Sequence, residues 1–189
     1  MFEVGIECFR RLFLKIEDAG RLRLGLGWTL NFLGCLIFET MIEPFSDEWF
    51  MKEALKEAMK AYDLDEVPVG CVVVSRQRII GRGHNLTERL HDVTAHAEMQ
   101  AITSASNFLG FKYLEGCSVY VTLEPCPMCA GALRWARPEA IIYGASDLKY
   151  GFESLSEGRV HPKTKVRGGI LNDECGELLS RFFAERRKP

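Results

Sequence analysis

Residues 118–136 read "SVYVTLEPCPMCAGALRWA", and within them one kind of element gives way to another. Ser118–Leu123 is rich in β-branched and aromatic side chains, which predicts a strand. Pro127 stands where a helix can begin, and Cys129, Ala132, Leu133 and Ala136 then share a helical face. A strand running straight into a helix is the βα step of a layered α/β fold. The same step leaves Cys126 and Cys129 in the first helical turn, where unpaired N–H groups and the dipole favour thiolate over thiol. On this stretch alone three readings stay open: a redox pair, two buried core thiols, or half of a metal site.

The flanking sequence repeats the strand–helix alternation. Met51, Ala54, Leu55, Ala58, Met59 and Tyr62 form one apolar stripe over residues 46–62, with Ser46 as N-cap and Asp47 and Glu48 in the first turn. Phe45 is placed to staple onto Phe50. "VGCVVVSRQRIIGRGHN" (69–85) predicts two strands joined by a tight turn at Arg76–Arg78. The first is almost continuously apolar, as in a strand covered on both faces. "TAHAEMQAITSASNFLG" (94–110) predicts a helix with Ala101, Ala105 and Phe108 on one side and Gly110 at its end. "AIIYG" (140–144) is a fourth strand, followed by a charged, loop-rich segment to residue 165 and a short strand near 166–170. A last helix is expected from an Asn172 cap through Cys175, Leu178, Leu179, Phe182 and Phe183. The alternation predicts an α/β sheet with helices on both faces.

The chain has 189 residues, enough for one domain with a full core, and no internal repeat. A net charge of -2 and a pI near 6.1 exclude a wholly basic nucleic-acid coat but not a local basic patch. Seven cysteines without a disulfide framework point to the reducing cytoplasm. Leu24–Phe38 is uncharged yet short for a membrane span, which needs about 20 apolar residues. It has the length of a signal-peptide core, and Leu33-Gly34-Cys35 faintly resembles a lipoprotein cleavage site. The favoured expectation is different: Met41 opens "MIEPFSDEWF", a plausible start, so residues 1–45 are read as a non-native or disordered extension ahead of a catalytic domain at 46–189.

The chemistry lies in a combination. C-x-x-C and H-x-E are each cheap by chance in a chain with seven cysteines and four histidines. His96-Ala97-Glu98, a spacer of 26 residues, then Pro125-Cys126-Pro127-Met128-Cys129 is not, because each motif follows a strand and opens a helix. Both helix starts would then meet at one sheet edge, where α/β proteins place ligands. His96, Cys126 and Cys129 make an open three-ligand zinc site whose fourth position holds water. His91, in a polar loop, is a poor fourth candidate. Glu98 is then a proton carrier rather than a ligand. Such a site suits hydrolytic attack on an sp² carbon bearing an amine.

These motifs resemble the signature of the zinc-dependent cytidine/deoxycytidylate deaminase superfamily. Within it the chain is similar to the bacterial tRNA-specific adenosine deaminases, through "VPVGCVVV", "GHN", "TAHAE", "YVTLEPCPMCAGAL", "IIYGASDLKYG" and "GGILNDECGELLSRFF", over about residues 46 to 187. The resemblance implies a cytidine-deaminase-like α/β/α fold with a five-stranded mixed sheet, a homodimer, one Zn²⁺ per subunit, and conversion of the wobble adenosine of a tRNA anticodon arm to inosine. It also implies that Asn85 contacts the flipped nucleoside and that the backbone near Ala97 and the loop holding Asp147 line the pocket. Plainer roles are available: Asn85 as a strand-end cap, Asp147 as an N-cap, Glu124 as a structural carboxylate. His84, Tyr150 and Phe152 depart from what the family usually carries and could alter base contacts.

RNA needs a basic surface with an aromatic or two. "RFFAERRK" offers Phe183, Arg186, Arg187 and Lys188, and "HPKTKVR" offers Lys163, Lys165 and Arg167. Against this, a basic tail is often a solvated helix end, and Phe182 with Phe183 fits a core stripe. The rival functions are a small-molecule deaminase acting on guanine, cytosine or a nucleoside, a thiol–disulfide oxidoreductase, and a non-catalytic zinc-stabilised RNA-binding module.

Overall fold

The computed structural model describes residues 42–152 and 160–187. The predicted extension before residue 42, the segment 153–159 and Lys188 lie outside these. The described elements run α1 (Asp47–Asp63), β1 (Gly70–Ser75), β2 (Arg78–His84), α2 (Thr87–Leu90), α3 (Ala97–Leu109), β3 (Cys117–Leu123), α4 (Pro127–Ala136), β4 (Ala140–Ala145), β5 (Lys165–Arg167) and α5 (Asn172–Arg186). They build a five-stranded mixed sheet in the order β2-β1-β3-β4-β5. β1 pairs antiparallel with β2 and β3, while β4 runs parallel to both β3 and β5.

Strand alternation sorts the apolar run of β1 onto two faces. Cys71 and Val73 join Val119, Val121, Ile141 and the alanines of α3 in one core. Val72 and Val74 join Tyr120, Ile142 and the Phe50, Met51 and Ala54 stripe of α1 in the other, which Cys175 of α5 completes. The result is the expected three-layer α/β/α arrangement. Ser46 caps α1, its side chain accepting the Trp49 N–H at 3.1 Å. Asp47 does more than favour the dipole: it accepts the Tyr120 hydroxyl at 2.8 Å and pairs with Arg167 at 2.7 Å, tying α1 to β3 and β5.

Several local expectations give way to tertiary contacts. The β1–β2 turn places Arg76 and Gln77 at φ 48° and 61°, the mirror-image turn that matches strand twist. β5 ends at Arg167; Gly168 lies against the Tyr143 ring, where a Cβ would come within 2.3 Å of a ring carbon, and Gly169 turns the chain at φ 88°. Asn172 is not the cap of α5. Leu171 holds that position at φ 53°, with no side-chain cap. Phe108 faces solvent, with the Arg78 guanidinium 5.2 Å from its ring centre. Phe182 is buried while Phe183, one residue on, is half exposed.

One contact positions the functional end of the sheet. Gly83 on β2 faces α3 so closely that an added Cβ would lie 2.3 Å from the Ala97 carbonyl oxygen and 2.5 Å from the Ala101 nitrogen. Gly81 meets the same helix at Ala101 and Ala105. Backbone therefore packs on backbone, and the start of α3 has no side-chain cushion that could shift it.

Gly83→Val is accordingly expected to destabilise the chain by at least about 1–3 kcal/mol and to lower its zinc content, because His96 rides on the displaced turn. Gly176→Ala on α5, which meets nothing within 4 Å, is the control: zinc unchanged and stability raised by roughly 0.5–1 kcal/mol. Urea midpoints and metal analysis check both. A Gly83 variant as stable and zinc-rich as the parent would remove the constraint.

Candidate metal centre and active-site cleft

Two helices begin at the same edge of the sheet. His96 is the N-cap residue of α3 and Cys126 that of α4, with Cys129 in the first turn of α4 behind Pro127. Cys126 Sγ lies 3.7 Å and Cys129 Sγ 3.5 Å from His96 Nδ1, and all three donor atoms fall within 4.8 Å of one another. A tetrahedral zinc with ordinary Zn–S and Zn–N bonds needs sulfur and nitrogen about 3.6 Å apart. The three side chains therefore fit one zinc ion. His91 sits exposed at the left-handed end of α2 and takes no part in the cluster.

The ionisation of the three groups is linked. A hydrogen bond from the Cys129 thiol pulls the Cys126 thiol down to about 4 against the opposing cost of burial, with His96 adding to the fall. The same contact, then burial, pushes Cys129 up, and the hydrogen bond to Cys126 raises His96. The cluster thus holds a thiolate beside protons that a divalent cation would displace. Glu98, in the first turn of α3, is buried and aimed at the same space. Burial raises its carboxyl above the usual range, and the Cys126 thiolate adds to that.

The cluster opens into a cleft of about 380 Å³, lined among others by Val69, Asn85, His96, Glu98, Cys126 and Tyr150. Asn85 is buried, and its side-chain oxygen accepts the Ala97 N–H at 2.9 Å. It thereby supplies the cap that His96 does not make, and the amide NH₂ is the polar end that remains. Ala97 is fully buried with its N–H spent on that bond, so Asn85, Thr87, His96 and Glu98 form the wall there. Asp147 lines the cleft too, but its Oδ1 accepts the Lys149 and Tyr150 N–H groups at 3.0 and 2.9 Å. Glu124 accepts the Asp147 N–H at 3.0 Å, the structural duty foreseen for it.

Of the departures flagged in the sequence, only Tyr150 reaches the cleft. His84 points to the opposite face of β2 from Gly83, with Nδ1 3.4 Å from Glu57. Phe152 is buried, its ring centre 6.4 Å from that of Tyr143. A second, larger cleft of about 910 Å³ shares Val67, Leu123, Asp147 and Tyr150 with the first and adds Phe183, Arg186 and Arg187 of α5. Arg186 is partly engaged there, paired with Asp65 at 2.9 Å. Thr87 was not legible as a wall residue. It belongs to the one-turn helix α2, held by Glu66, whose buried carboxylate accepts the Thr87 hydroxyl at 3.0 Å and the Arg89 N–H at 2.9 Å.

Residues 44–145 match the cytidine and deoxycytidylate deaminase zinc-binding region. The chain is 49% identical over 147 residues to the tRNA-specific adenosine deaminase of Bacillus subtilis (strain 168), covering 75% of this chain and 91% of that protein. A structure from studies of A-to-I editing by tRNA:A34 deaminases at the wobble position of transfer RNA superposes with a TM-score of 0.65. It is 45% identical and spans 69% of this chain and 98% of its own. The guanine deaminase of Bacillus subtilis superposes with a TM-score of 0.53 at 31% identity, over 76% of this chain and 96% of that one.

His96→Ala, Cys126→Ser and Cys129→Ser should each drop bound zinc from about one equivalent per chain to under roughly a tenth. Binding should weaken as pH falls, because the imidazole and both thiolates must shed protons to ligate. Metal analysis after dialysis reads both effects. A variant that keeps its zinc loses its place in the ligand set.

Proposed function

The chain belongs to the cytidine and deoxycytidylate deaminase zinc-binding family, and from that premise we propose that it hydrolytically deaminates the wobble adenosine of a tRNA anticodon arm to inosine. The observation that carries this reading is the open wall of the active cleft. The cavity over His96, Cys126 and Cys129 continues into the larger cleft through shared residues, and that cleft is bordered by Tyr150, Phe183 and Arg187. An enzyme for a free base has no use for such a surface. A splayed single strand does, because its bases stack on aromatics and its phosphates meet cations. The 45–49% identity to tRNA-acting relatives, against 31% to a guanine deaminase, weighs the same way.

A zinc ion held by His96, Cys126 and Cys129 supplies a Lewis acid that brings the pKa of water down towards roughly 7. The remaining work falls to the chain. Glu98, buried within the same turn as His96, takes one proton of the attacking water and passes it to the purine ring nitrogen, then relays the proton of the added hydroxyl to the departing amine. Water adds at C6, ammonia leaves, and a carbonyl remains. Asn85, its oxygen committed to α3, offers its NH₂ to an acceptor on the flipped nucleoside. Phe183, Arg186 and Arg187 serve the RNA beyond the active cleft, and Lys188, next in sequence, adds its charge to theirs.

The homodimer expected from the family finds support on α4. Met128 and Trp135, seven residues apart and so on one face, are both exposed, Trp135 by 73%. Among the described residues no helix is long and apolar enough to cross a membrane, and the proposed substrate puts the enzyme in the cytoplasm.

Purified protein given an arginine-tRNA anticodon stem-loop should produce inosine, and should release no ammonia from adenosine, cytidine, cytosine or guanine. Glu98→Ala should keep zinc and fold while losing about 10²–10⁴ in kcat. Ammonia from a free base alone would install the small-molecule reading, and full turnover by the Glu98 variant would end the proton-carrier role. Trp135→Glu should sediment as a monomer where the parent sediments as a dimer. Identical sedimentation would clear α4 of that duty.

A further inference from the structure

Residues Asp147–Phe152 form a tightly tied turn rather than a loose loop. Asp147 accepts three N–H groups: Lys149 and Tyr150 on its carboxylate, at 3.0 and 2.9 Å, and Gly151 on its carbonyl oxygen, at 2.8 Å. Its own N–H goes to the buried carboxylate of Glu124 at 3.0 Å, and the Phe152 N–H goes to the Pro125 carbonyl oxygen at 3.0 Å. Gly151 lies so near Glu124 that an added Cβ would come within 2.2 Å of its Oε1. The anchors are thus the two residues that directly precede Cys126, so the turn is fixed to the same piece of chain as the metal ligands.

What the turn presents is unusual for an ordinary surface. Phe152 points inward and is buried, whereas Tyr150 stands 59% exposed on the boundary between the two clefts and lines both. Lys149 Nζ lies 4.7 Å over one face of its ring. A cation on one side of an aromatic ring leaves the other side for a flat ligand, and the cation itself is placed for a phosphate. Because the backbone beneath is already ordered, stacking on this ring costs little further conformational entropy.

We propose that Tyr150 is a stacking platform for a base next to the one inserted in the active cleft, and so anchors the neighbouring nucleotide while the target reacts. The proposal rests on RNA being the substrate. Glu124 is the positioning residue that holds the platform through Asp147, and Lys149 contacts the phosphate between the two nucleotides. A base at the cleft boundary cannot enter the inner cavity while the target occupies it, so the ring holds a neighbouring base and not the target.

The test is a double-mutant cycle between protein and RNA. Parent, Tyr150→Ala, Tyr150→Phe and Tyr150→Trp enzymes are given anticodon stem-loops with an abasic site 5′ or 3′ of the target adenosine. Tyr150→Ala should lower kcat/KM on the intact stem-loop by about tenfold, more through KM than kcat, while the Phe and Trp variants stay within about twofold. For the parent, one of the two abasic sites should cause a similar loss. For Tyr150→Ala that same site should cause none. Glu124→Gln, with zinc content intact, should raise KM in the same manner. Equal losses from both abasic sites in parent and Tyr150→Ala enzymes would overturn the platform, as would an intact kcat/KM in Tyr150→Ala. If the parent fails to deaminate any stem-loop, the RNA reading itself falls, which is a separate result.

Discussion

The active end of this protein depends on helix α3 lying against strand β2 with no side chain between them. Gly81 and Gly83 offer only hydrogen where any other residue would drive into the backbone of Ala97, Ala101 and Ala105. Small residues on the helix answer small residues on the strand, so the two backbones meet at van der Waals distance. His96 and Glu98 sit on the first turn beyond that contact and have almost no freedom to move away from the sheet. The two cysteine ligands are fixed by different means, on α4, directly after β3 and beneath the Leu133 and Ala136 side chains in the core. A metal site built from two helices is only as well defined as the packing that aligns them, and here it is backbone contact on one side and a strand–helix junction on the other.

Polar groups complete what packing begins, and each does so across the chain rather than within an element. Asn85 caps a helix twelve residues on. Glu66 holds a single helical turn more than twenty residues away. Glu124 reaches the Asp147 turn. All three are buried and each has its oxygen bonded, which fits the cost of leaving such groups unpaired. Together they make the cleft wall from short, irregular pieces that have little stability of their own.

This division explains what could be read from sequence. The strand and helix order was legible because the apolar periodicities are local, and so was the grouping of His96, Glu98, Cys126 and Cys129, because they fall at helix starts, although only the cysteines follow a strand directly: α2 lies between β2 and α3. Helix α2 was not legible, since what folds Thr87–Leu90 is a carboxylate from elsewhere in the chain. Phe182 and Phe183 both fit an apolar stripe, yet consecutive residues on a helix point about 100° apart, and only the placement of α5 decides that one is core and the other borders the cleft. His84, a departure from the family pattern that could have altered base contacts, is sent to Glu57 by alternation along β2. The stripe on α3 ended early: Phe108 faces solvent and finds Arg78.

Under the proposed function Asn85 carries two obligations on one small group, and they have different chemical tolerances. Holding the first turn of α3 asks only for an oxygen acceptor, which an aspartate at this position would supply at least as well. Presenting hydrogens to a ligand asks for the amide nitrogen, which aspartate lacks. Selection of random variants for thermal endurance would therefore admit aspartate here, and selection for turnover would not. The two screens would return different alphabets at this one site, and the gap between them measures how much of the residue belongs to the scaffold and how much to the chemistry.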